Sequence, residues 1–392
     1  MTAKTLSLCK RGILCLKVQS NQTKLILKSI QQTTSIMKKI LLLLSLFVIA
    51  VTSVKAATPT AVADTGKVGT SADPKDPPLI FFGSVDTYYK YDFSGHRNIG
   101  TSFATDQNSV SIGMVNLGLK KKVGKASFVG ELSFGPRGQE QSLPDGSNSL
   151  DPIVGGASSY HIQNLYVSYD VTDKLNFTAG YMATFIGYEV ISPTGNFNYS
   201  TSYLFSNGPF QNAGFKATYA FSDKVSLMAG IFNDNWNTYT SQHDVSTFGA
   251  QLMVAPVKGW TAYLNVASGP TSGTVFDLTT AYQITDAFKL GLNAADFSTA
   301  HGGLGYDGVA LYPQLAVSKI VTFGVRGEYF KFKKGDNVTG ITFTSNIKAG
   351  ALTLIPEIRF DNTNVETAGF TKGDGTPTKS AGQFVLAAVY AF

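Results

Sequence analysis

Twelve ionisable residues in this chain stand on the polar side of alternating polar and apolar runs. They are Asp86, Lys90, Lys120, Glu131, Lys216, Asp277, Lys289, Arg326, Glu328, Lys348, Glu357 and Arg359. In an extended strand such residues share one face while their neighbours share the other. Seven are basic and five acidic. Facing water across a channel, charges of both signs would set a transverse field on a passing solute. A salt-bridged wall without selectivity would use the same residues. Arg326 and Glu328 lie in one run, Glu357 and Arg359 in another, with Thr342 and Thr344 on the run between them. Asp86 and Glu131 are expected at similar heights. These six charges form the expected constriction band.

Other chemistries have weaker supports. Gly303–Gly308 (GLGYDG) fits the glycine spacing of a dinucleotide fingerprint, but strands flank it where that motif needs a strand and then a helix. It reads as a surface loop. Asp145–Asp151 (DGSNSLD) offers oxygen ligands yet lacks the spacing and closing glutamate of a calcium loop. The four histidines, His96, His161, His243 and His301, fall in or near separate connections, and no G-x-S-x-G elbow accompanies them. No metal and no cofactor is expected.

The elements that must carry the charges are strands. Leu352, Leu354, Pro356, Ile358 and Phe360 alternate with Thr353, Glu357 and Arg359, and the runs 174–185 and 259–267 repeat the pattern. A wholly apolar face opposite a polar one suits a strand between two unlike surroundings. Sixteen strands are predicted: 79–92, 108–121, 125–134, 159–171, 174–185, 209–221, 224–233, 243–255, 259–268, 273–284, 287–297, 307–318, 319–332, 338–348, 351–361 and 380–392. Tight turns such as VTDK, FSDK and KAGA alternate along the chain with mostly longer connections rich in Asn, Ser and Gly. That alternation is the habit of an outer-membrane antiparallel up-and-down β-barrel, with short periplasmic turns and long extracellular loops. The connection Ser192–Gly208 holds four aromatics and is too apolar to hang in water, so it is expected to fold inward or pack on the rim. It is the alternative constriction.

The start of the chain changes its charge. Met37–Ala56 has the basic start, apolar run and small-x-small end of a secretory signal peptide. Residues 1–36 are read as a spurious extension, and residues 57–78 as a flexible periplasmic segment before the barrel of residues 79–392. Residues 1–56 hold nine of the 32 Lys and Arg and none of the 26 Asp and Glu, leaving 23 basic against 26 acidic residues. The overall net charge of +6 therefore supports no nucleic-acid partner. Both cysteines, Cys9 and Cys15, lie in the same leader, so the remainder has no disulfide framework.

The chain ends on Phe392, with Tyr390, Ala388, Leu386 and Phe384 at alternate positions before it. An aromatic terminus suits a lipid-facing strand, because rings favour the headgroup level. The 18 Tyr and 27 Phe are frequent at predicted strand ends, as two girdles would require. From about Pro78 to Phe392 the chain resembles the OmpL-like outer-membrane β-barrel porin family of Gram-negative bacteria. The residues that carry the resemblance are the first strand FFGSVDTYYKYDF, the block Gly187–Asp234 and the terminal AAVYAF. The resemblance implies a pore-like barrel, outer-membrane lipid around it, and a last strand (Phe384, Leu386, Tyr390, Phe392) read by the barrel assembly machinery. Passive passage of small hydrophilic solutes is the expected role. A loop-plugged surface-binding barrel, or an outer-membrane hydrolase, are the alternatives.

Overall fold

A computed structural model of the chain describes residues 77–137, 162–241, 243–300, 302–365 and 369–392. The expectations for residues 1–36, 37–56 and 57–76, for the Asp145–Asp151 loop, and for His161 and His301 lie outside the described residues.

Alternation produces strands as expected. The first half of the chain gives β1 (Ile80–Asp92), β2 (Ser109–Val123), β3 (Ala126–Phe134), β4 (Ile162–Asp170), β5 (Leu175–Ala183), β6 (Gln211–Ser222), β7 (Val225–Phe232) and β8 (Thr247–Val254). The second half gives β9 (Trp260–Gly269), β10 (Gly273–Gln283), β11 (Phe288–Ser298), β12 (Tyr306–Ala316), β13 (Val321–Phe332), β14 (Asn337–Ala349) and β15 (Leu352–Thr363). Two short strands, β16 (Phe370–Thr371) and β17 (Pro377–Thr378), pair with each other in the following loop. Then β18 (Ser380–Ala391) closes the sheet against β1.

Every barrel strand is antiparallel to the next along the chain, and the sixteen of them form one closed barrel. Closure removes the edges, so no strand leaves its backbone groups unpaired in hydrocarbon. The tight turns fall at one end, where Gly124 and Gly350 take φ of +57° and +65°, a conformation that favours glycine. At the seam, Phe392 and Gly83 exchange both backbone hydrogen bonds at 3.0 Å.

The outer face is apolar. Phe81, Tyr91, Tyr169, Tyr219 and Phe221 are exposed there, near strand ends, as two girdles require. On β18 the side chains of Phe384, Leu386, Tyr390 and Phe392 share the outer face, while Val385, Ala387 and Val389 are buried inside. That inner apolar row breaks the expectation of a polar lumen face on each strand. Strand β2 departs from strict alternation too. The pairing with β1 slips between Val85 and Thr87, so Gly113 and Met114 both point inward opposite Asp86. Asp86 Oδ1 accepts the Met114 N–H at 2.9 Å, and its carboxylate fills the space a side chain at Gly113 would need.

Candidate functional site

The connection between β5 and β6 turns into the barrel, as its apolar composition required. It contains a short helix, α1 (Tyr203–Asn207), whose Ser202 cap accepts the Phe205 N–H at 3.1 Å. The stretch Ser192–Gly208 holds no Asp, Glu, Lys, Arg or His. An irregular segment inside a barrel leaves backbone N–H and C=O groups that must find partners. The wall supplies them.

Each backbone group of Tyr199–Tyr203 that points at the wall meets a charge. Glu357 accepts the N–H groups of Tyr199 and Ser200 at 3.0 and 3.2 Å, together with the Ser200 hydroxyl. Glu328 accepts the Tyr203 N–H at 2.8 Å. In the opposite sense Arg326 Nη1 donates to the Ser200 carbonyl at 2.6 Å, and Arg359 Nη1 to the Thr201 carbonyl at 2.8 Å. Carboxylates thus take the donors and guanidiniums the acceptors, which suits charge-assisted bonds in a dry site. The side chains extend the clamp. Asn198 donates to Thr344 at 2.6 Å, Thr344 donates to Glu357 at 2.9 Å, and the Tyr203 hydroxyl donates to Asp361 at 2.7 Å.

The charges are also tied to each other. Arg326 lies 3.0 Å from Glu189 and 3.2 Å from Glu328. Arg359 lies 2.9 Å from Asp361 and 3.1 Å from Glu328. Arg326, Glu328, Glu357 and Arg359 of the predicted band face inward as alternation required, and Arg326 and Arg359 are 0 % exposed. The expectation that they face a water-filled space is therefore corrected. The loop covers them, because its backbone replaces the water that would otherwise solvate them. The two expected constrictions, band and loop, are one assembly.

Shape supports the same seating. On the wall, Gly291 leaves room for the Tyr188 ring, Gly308 for Leu204 and Gly324 for Phe197; a side chain at any of them would overlap. Tyr188 stacks on Tyr312 at 4.5 Å, and Leu204 packs with Tyr306, Tyr312 and Phe330. Arg137 lies between the Phe103 and Tyr199 rings at 4.1 and 4.7 Å and donates to the carbonyls of Ile191 and Tyr199.

The remaining predicted residues separate into two groups. Asp86 joins the clamp by accepting the Tyr199 hydroxyl. Glu131 does not join it: Asn116 and Asn164 donate to it on the neighbouring strands. Asp277 is buried and anchors the start of the loop, accepting the Gly187 N–H at 3.0 Å and the side-chain amides of Asn265 and Asn293. Lys90 is buried as well, and its ammonium has no hydrogen-bond partner among the described residues. Lys120 and Lys348 are exposed, and Lys216 and Lys289 half-buried. Residues missed from the sequence are Glu189, Asp361, Arg137, Tyr199 and Tyr203. Asp361 was within reach, because it continues the Glu357–Arg359 alternation by one step. The others lie in connections, where no period marks a direction.

Over residues 78–392 the chain matches the family model described as "Putative beta-barrel porin-2, OmpL-like". No curated protein sequence gives a match. Among solved structures, the chain is similar to the outer membrane channel DcaP of Acinetobacter baumannii, with TM-score 0.55 and 11 % identity over 80 % of this chain and 97 % of that one. It is also similar to an anion-selective porin from Comamonas acidovorans, with TM-score 0.57 and 15 % identity over 80 % of this chain and 99 % of that one. At such identities the likeness is one of fold.

Proposed function

The chain belongs to the OmpL-like β-barrel porin-2 family of bacterial outer-membrane barrels, and we propose that it is a passive channel for small hydrophilic solutes or ions. The observation that carries this reading is the clamp of Tyr199–Tyr203 on Arg326, Glu328, Glu357 and Arg359. A sixteen-stranded barrel is wide enough for an aqueous lumen. A loop fixed part-way across it narrows that lumen without closing the side it leaves bare. The charged band acts by holding the loop, and the loop sets the width. Purified protein in planar bilayers should give stepwise, ohmic conductance. Protein that inserts yet carries no current would instead be a barrel plugged by its loop.

The terminal strand is assigned a separate role, in assembly. Phe392 closes the seam through both backbone bonds to Gly83, and its ring lies over that glycine. Deleting Phe392 should reduce the folded, heat-modifiable fraction in the membrane by several-fold, with unit conductance unchanged in what does fold. Normal folded yield would remove Phe384, Leu386, Tyr390 and Phe392 from any part in recognition by the assembly machinery.

A further inference from the structure

The lumen charges sort by depth once the clamp is accounted for. In the half nearer the long loops and at mid-height, Asp86, Glu131, Asp277, Glu328, Glu357 and Asp361 are all buried and hydrogen-bonded. Arg326 and Arg359 are consumed by the same network. Nearer the short-turn end, Asp170 is held by Lys122 at 2.6 Å. Of the five lumen-face lysines without an ion pair among the described residues, Lys90 is fully buried near the long loops, and four keep some exposure: Lys120 on β2, Lys216 on β6, Lys289 on β11 and Lys348 on β14.

Their placement is regular. Around the closed barrel those strands are separated by four, five, three and four positions, so one lysine stands in each quarter. Lys348 is next to the last residue of its strand, Lys289 next to the first, and Lys120 three residues from the end of β2. Lys216 sits deeper, six residues from the end of β6. The Lys120 ammonium lies over the Phe82 ring at 5.4 Å. The short turns mark this end as periplasmic.

We infer that these four lysines make the periplasmic vestibule an anion-collecting ring, and that the solutes this channel favours are small anions. The inference rests on the channel reading above and names its substrate class. A ring of like charge inside a low-dielectric wall focuses its potential along the lumen and raises the local concentration of counter-ions. The lumen-face acidic residues cannot cancel that potential by swinging into the water, because each is fixed by its own partners. Selectivity therefore follows from the four charges left free, and not from the near-balance of the twelve.

The test is the reversal potential of the full protein in planar bilayers under a tenfold KCl gradient. Wild-type protein should favour chloride over potassium by about twofold or more. A variant with Lys120, Lys216, Lys289 and Lys348 all changed to Gln should lose that preference while keeping its heat-modifiable mobility. Changing only the two exposed lysines, Lys120→Glu and Lys348→Glu, leaves the half-buried Lys216 and Lys289 in place and should shift the reversal potential toward cations. At higher salt every shift should shrink, because screening reaches about 3 Å at 1 M. Current with equal permeability to both ions, or a preference unmoved in either folded variant, overturns the inference and leaves the channel reading standing. Inserted protein without current overturns both.

Discussion

Two walls of this barrel are built by the same rule and live in different surroundings. On β13, β14, β15, β18 and β1, the mid-height inward residues Arg326, Glu328, Thr344, Glu357, Val385 and Asp86 are all 7 % exposed or less. On β4 to β6, inward residues such as Tyr166, Ser168 and Lys216 are half-exposed. Both walls alternate, and both turn polar or charged groups inward. The difference is the connection between β5 and β6, which lies against one wall and leaves the other bare. A lumen face is therefore not one environment: its charges are structural where the loop covers them and electrostatic where it does not.

The largest effect expected from that comparison comes from the covered wall. Changing Arg326 and Arg359 together to Met leaves Glu189, Glu328 and Asp361 buried without their cations, at a cost of about 3–5 kcal/mol for breaking such a pair from one side. The loop should come free. Folded protein should then show higher unit conductance and new protease cleavage within residues 192–208. Unchanged conductance with an intact loop would mean that packing of Tyr188, Phe197 and Leu204 on their glycines holds the loop by itself. Removal of charge at the short-turn end, in the lysine variants, is expected to alter selectivity without altering cleavage.

A single hydroxyl sharpens the contrast at smaller scale. Tyr199 donates its hydroxyl to buried Asp86, so Tyr199→Phe leaves that carboxylate short of a donor and should cost about 1–3 kcal/mol. Tyr166 faces the lumen from β4 and is half-buried. Among the described residues its hydroxyl has no hydrogen-bond partner. Tyr166→Phe should change stability by less than about 0.5 kcal/mol. Urea unfolding in detergent micelles compares the two variants directly. Equal effects would erase the distinction between the walls.

How much of this was legible beforehand depends on the range of the physics. The strand count and most strand limits followed from alternation, since a barrel wall has two sides and a strand has period two. Period also placed Arg326, Glu328, Glu357 and Arg359 on the inner face, and Phe384, Leu386, Tyr390 and Phe392 on the outer. Local rules failed at particular places. At the bulge of Gly113 and Met114 the pattern slips by one residue, and on β18 the inner row is apolar because Tyr88, Tyr199 and Ile355 pack against it.

By itself, then, the sequence determined which residues share a face, because that depends on neighbours one and two positions away. Which inward charges meet water was decided by the tertiary structure. Tyr199 reaches Glu357 across 158 residues, and Asn198 reaches Thr344 across 146. Contacts of that range have no period to betray them. A buried backbone segment must satisfy its N–H and C=O groups wherever the closed barrel brings charges within reach. The ring of four free lysines was therefore hidden among twelve charges until the loop had taken its share.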